Sequence, residues 1–209
     1  MQKKDRVKMA KIFAEMLNLK TSQDIAYRII NYNDFKILVG VLIGSIGFAP
    51  KDFWAHFFIQ SLYRPFDCIN LSFGAADRTK CSPKDVENIR FRQDIQNIFK
   101  KYEQKNTLVS IIDALVKNEI PYRAAEPHKW VEIAYAHVIL GNTEEALKYI
   151  EKIEICYKEN STISWIKDIW MQSELIKKYL LTDDLGKALD TLRQWQNYTI
   201  EQLRLTNLE

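Results

Sequence analysis

The side chains best suited to nucleophilic, acid–base or metal chemistry near neutral pH are three histidines, His56, His128 and His137, and three cysteines, Cys68, Cys81 and Cys156. No CxxC pair occurs and no ligand set is read around the histidines, so neither a zinc site nor a disulfide framework is expected. His56 lies inside an aromatic run and reads as structural; His128 reads as an exposed residue near a helix start. Gly40, Gly44 and Gly47 form GxxxGxxG, which lacks the spacing and the following Lys-Ser or Lys-Thr of loops that cradle phosphates. GxSxG, HExxH and DxDxDG elements are missing, and Asp67, Asp77, Asp183 and Asp184 are scattered. What remains for catalysis is a set distant in sequence, His56, Arg64, Asp67 and Arg78, which a sheet would have to gather. No cofactor and no metal is expected.

Composition bounds the elements that would position these groups. With 209 residues, 47% hydrophobic and 12% aromatic, the chain can bury a proper core and is not disordered. Its 30 basic and 27 acidic side chains are interspersed, so no nucleic-acid surface is expected. Lys3, Lys4, Arg6, Lys8 and Lys11, offset by Asp5 and Glu15, read as a solvated helix start. The longest apolar stretch, Ile37 to Ala49, is far shorter than the about 20 residues a bilayer span needs, so no membrane partner is expected. The odd, sparse cysteines and the charged N-terminal segment imply a reducing, cytoplasmic setting.

Helical spacing places a first helix over about Asp5 to Leu17. Thr21 and Ser22 supply caps for a second, with Ile25, Ala26, Ile29 and Ile30 on one face. This resembles half of a helix-turn-helix, but Phe35 to Phe48 is too apolar to read base edges. Ile69, Leu71 and Phe73 alternate with Cys68, Asn70 and Ser72, the period of a half-buried strand. Phe53 to Tyr63 would pair with it through the Arg64-Pro65 turn, giving a small antiparallel sheet over about Val39 to Phe73. The alternative is an all-helical chain. Gly74 to Pro83 reads as a loop, followed by a helix to about Tyr102 and another over about Thr107 to Lys117. The connector from Ile120 to Pro127 divides an N-terminal α+β portion, 1–120, from a helical portion, 127–209, packed on it. The fold class expected is α+β, mostly helical.

In the second portion Trp130, Ile133, Ala134, His137, Leu140, Gly141, Ala146, Leu147 and Ile150 stand in the order and spacing of a tetratricopeptide repeat, which the segment from about Glu126 to Glu159 resembles. His137 replaces the usual aromatic, Ile153 a small residue and Lys158 the closing proline; a looser echo runs from Trp165 to Leu192. About one and a half repeats are too few to stand alone. The resemblance implies a binding role like that of scaffolds, peptide sensors or the immunity proteins that sequester a toxin, with a protein or peptide partner. It places His128 and Tyr135 toward the concave face. Trp165 and Trp170, if exposed, would be anchors, and Arg64 and Asp67 complete the candidate binding set. An enzyme with its active site around the sheet is the competing expectation.

Overall fold

The computed structural model describes residues 2–49, 51–71, 73–74, 78–120 and 125–205. Pro50, Ser72, Asp77 and half of the Ile120–Pro127 connector, residues 121–124, lie outside the described residues. Helix α1, Lys3–Leu17, opens on a capping box between Gln2 and Asp5 and ends where Asn18 turns left-handed at φ 53°. Its apolar stripe of Met9, Ala10, Phe13, Ala14 and Leu17 is buried.

The next segment departs from the helix expected after Thr21. It forms two strands, β1, Lys20–Ser22, and β2, Ile25–Tyr32, joined where Gln23 takes φ 51°. Ile25, Ala26 and Tyr27 are consecutive and all buried, because this part of the sheet is covered on both faces. A strand covered on both sides has no alternation to show, and its isoleucines fell by coincidence at helical spacing. β3, Phe35–Ser45, β4, Phe53–Ser61, and β5, Arg78–Cys81, complete an antiparallel meander in the order β1-β2-β3-β4-β5. The sheet therefore begins well before Val39. β3 pairs with β2 from Tyr32↔Phe35 to Ile25↔Leu42, and with β4 from Ile37↔Ser61 to Ser45↔Phe53.

Of the strand expected over Asp67–Phe73, residues 67–71 are irregular chain and Phe73 makes a single bridge, while the loop expected over Gly74–Pro83 contains β5. Its alternation reflects burial against two layers, with Ile69 and Leu71 packed on the outer sheet face and Phe73 in the main core. Phe73 joins the ladder, its carbonyl accepting the Ile59 amide at 3.0 Å, and the Gln60 side chain accepts the Asn70 amide at 2.9 Å.

The inner sheet face, with Val39, Val41, Ile43, Ala55, Phe57 and Ile59, packs against α1 and α2, Ile89–Glu103. The outer face, with Ile25, Tyr27, Leu38, Phe58 and Leu62, is covered by Leu203 and Leu205. Gly40 stands on that face because a Cβ there would lie 2.4 Å from the Ala26 carbonyl oxygen. After α3, Leu108–Val116, come four helices joined by short turns: α4, Glu126–Ile139, α5, Thr143–Glu159, α6, Ser164–Leu181, and α7, Leu185–Gln202. Between α4 and α5, Gly141 adopts φ 75°, and the fully buried Ala134 and Ala146 sit within this hairpin. Glu154 of α5 and Lys177 of α6 pair at 2.5 Å.

Helix α7 turns back onto α4 and β3 instead of prolonging the array outward. The Gln196 side chain accepts the Lys36 amide at 2.6 Å and donates to the Asp34 carbonyl at 2.8 Å, gripping the β2–β3 hairpin. One hydrophobic cluster runs from Phe13 through Phe57 to Val131, Ile150 and Leu192. Among the described residues, no helix is long and apolar enough to cross a membrane.

Candidate functional site

Arg64 follows β4 and is 3% exposed, an unusual place for a guanidinium. Its Nη1 donates to Glu132 Oε1 at 2.5 Å and to the His128 carbonyl at 3.3 Å. Glu132 receives a second hydrogen bond, from Ser61 Oγ at 2.5 Å. The guanidinium also lies 4.7 Å from the centre of the Phe66 ring. From the other side, the Thr199 hydroxyl of α7 donates to the Arg64 carbonyl and accepts the Phe66 amide at 3.0 Å. The end of β4, the first turns of α4 and the last turns of α7 thus meet at one buried charge.

His128 and Glu132 share a face of α4, one turn apart, and both reach the same arginine. Arg64 Nη2 stands 3.3 Å from His128 Nδ1. A guanidinium only donates, so Nδ1 accepts and the ring proton resides on Nε2. Burial, aided by the Arg64 charge, pushes the His128 imidazole down to about 4, and the ring is neutral at pH 7. It stacks on Trp165 at the start of α6, centroids 5.1 Å apart and planes 11° from parallel. Trp165 is 38% exposed. The sequence of supports runs from a buried ion pair, through a fixed imidazole, to an indole at the surface.

The other expected site residues lie elsewhere. Tyr135 is fully buried, its ring 5.6 Å from that of Trp195 on α7, so its own chain occupies the face a repeat would leave for a ligand. Burial raises the Tyr135 phenol well above its ordinary range. Trp170 stacks on Tyr157 at 4.2 Å and 10°, and joins the margin of the main core. His137, also read as a packing residue, stacks on Tyr149 at 6.0 Å. Asp67 is exposed and lines a separate recess with Asp24 and Gln202.

The suspects for catalysis do not converge. His56 and Arg78 pair in register across β4 and β5, Arg78 lying 4.5 Å from the Trp54 ring, while Arg64 faces α4. Burial and the Arg78 charge lower His56. Beside Glu132, a cavity lined by Ser61, Gln60, Tyr63, Asn70 and Ile111 leaves about 10 Å³ for water centres, room for one molecule. Among the described residues no three His, Cys, Asp or Glu side chains gather as metal ligands would. Comparisons with family models, with curated proteins and with solved structures find no match.

Glu132 and Ser61 were not among the residues that the sequence singled out. The spacing of His128 and Glu132, four apart on a helix that Pro127 starts, was the available signal. Nothing local tied it to Arg64, which lies 68 residues from Glu132.

Proposed function

We propose that this chain acts by binding a protein partner, with Trp165 as an anchor of the contact surface. The observation that carries this reading is the Trp165–His128 stack, because it fixes an exposed indole before any partner arrives. Large exposed side chains usually lose rotamer entropy on association, so an indole already held flat binds at less entropic expense. Ile163 in the preceding turn is also exposed and extends the apolar surface beside it. A sequestering, immunity-type role and a scaffold role both use such a surface, and the partner decides between them.

The test is paired capture from the source cells, using the full chain and its Trp165→Ala variant as baits, with circular dichroism confirming that both are folded. One protein retained in near-stoichiometric amount by the unaltered chain and reduced roughly tenfold or more by the variant is the expected result. Equal recovery by both baits would remove Trp165 from the interface and with it the basis of this reading.

A further inference from the structure

A second surface lies between α1, the β3–β4 turn and the turn after β5. α1 exposes Lys4, Lys8 and Lys11 along one face at helical spacing. Lys8 meets Lys51 of the β3–β4 turn and Lys84 of the later turn around a groove of about 500 Å³, with Met9 and Pro83 among its lining. Two carboxylates, Asp5 and Asp52, share that lining, and a third, Asp85, follows Lys84 in the later turn. Asp5 accepts the Gln2 amide at 3.3 Å, Asp52 pairs with Lys80 at 3.0 Å, and Asp85 accepts the Ser82 amide at 2.6 Å. Lys8, Lys51 and Lys84 make no ion pair among the described residues. Phe48, in the same turn as Lys51, is 89% exposed.

We infer that this groove receives an acidic segment of a protein partner, an aliphatic or aromatic side chain seating against Met9 and Pro83 while flanking carboxylates meet the three lysines. The inference rests on the protein-binding reading above and names a second contact region for it. Charge complementarity selects the occupant: Lys8, Lys51 and Lys84 come from three separate segments and outnumber the lining carboxylates Asp5 and Asp52, of which Asp52 is already held by Lys80, and an acidic peptide with one apolar residue matches this positive balance and the apolar walls. A nucleic acid would be better met by arginine forks and stacking rings. No arginine lines the groove among the described residues, and Arg6 of α1 is committed to Asp24 at 3.0 Å. A bilayer surface would meet the lysines but leave a concave recess unfilled.

The experiment uses the full chain and an array of ten-residue peptides rich in Asp and Glu, varied at one central position from Ala to Leu, Phe and Trp. Binding that rises with the apolar residue and falls about tenfold or more in the triple variant Lys8→Gln, Lys51→Gln, Lys84→Gln is expected, since each exposed charge contact contributes modestly. Raising the salt to 0.5 M NaCl should weaken the same peptides. Trp165→Ala should leave them unchanged. No binding by any peptide, binding indifferent to the central residue, or preference for phosphatidylserine vesicles or a single-stranded oligonucleotide would each overturn the inference. If the peptides fail while partner capture still depends on Trp165, only this inference falls. Should capture prove independent of Trp165 while the peptides bind, the anchor reading falls instead.

Discussion

Where β4 meets α4, Arg64, 3% exposed, pairs its guanidinium with one carboxylate beside a ring and an imidazole, while hydroxyls hold Glu132 and the Arg64 carbonyl. Around the α1 groove, three ammonium groups stand in water without an ion pair among the described residues, beside Asp5 and an Asp52 already held by Lys80. Both places spend cationic side chains, yet they differ in what the surrounding dielectric does to the charge. In the joint, each charge is held because removing its partner would strand the other in a poor solvent. In the groove, each charge is cheaply solvated and keeps its capacity for an external partner. The comparison teaches that burial commits a charge to the fold, while exposure leaves it free for recognition.

Removing one partner from the joint should have the largest effect. Glu132→Ala leaves Arg64 buried without its carboxylate and should lower unfolding free energy by about 3–5 kcal/mol, read by urea denaturation. The loss should be nearly the same at 0.1 and 1 M NaCl. A strong salt dependence would show the joint to be as wet as the groove.

Next comes the grip of α7 on the β2–β3 hairpin. Gln196→Ala deprives the Lys36 amide and Asp34 carbonyl of their partner, and about 1–3 kcal/mol should be lost. Hydrogen exchange at Lys36 should accelerate with it.

His128 supplies a pH test with a definite sign. Its folded value of about 4 lies below the ordinary 6.5, so between those values the unfolded chain binds the proton and the folded one does not. Stability from this group is intact above pH 6.5 and declines as the pH falls toward 4. The loss should be on the order of 1–2 kcal/mol after discounting for the ring's partial exposure. His128→Gln should flatten that part of the profile.

The smallest effect belongs to the groove. Lys51→Gln should change stability by less than about 0.5 kcal/mol in thermal melts. A larger loss would mean that this lysine serves the fold after all.

Much of the helical half was legible in the sequence, because α4 and α5 bury one stripe each and Gly141 marks the turn between them. The presence of a sheet was read from the alternation of Ile69, Leu71 and Phe73, which is not a strand, whereas the β-branched and aromatic run, ambiguous by spacing, is what forms β3 and β4. β2 was hidden because layers on both sides erase the period of two. β5, Arg-Thr-Lys-Cys, was hidden because a four-residue polar edge looks like a loop. Of the site, Arg64, His128 and Trp165 were named individually, but their union depends on contacts that no local pattern encodes, Arg64 reaching His128 across 64 residues and His128 stacking on a tryptophan of another helix. The lysines of α1 were read as a solvated helix start, which they are along the helix. Their convergence with Lys51 and Lys84 is a property of the tertiary fold.

The cover over the outer sheet face has a consequence for synthesis. Leu203 and Leu205 shield Tyr27, Leu38 and Phe58, and Thr199 reaches Arg64 across 135 residues. A ribosome adding about 5–20 residues per second therefore exposes one oily side of the newborn meander for on the order of ten seconds before its lid is made. During that interval the nascent chain is a natural client for a holdase. Slowing translation between β4 and α7 should raise the yield of aggregate without altering any contact in the finished protein.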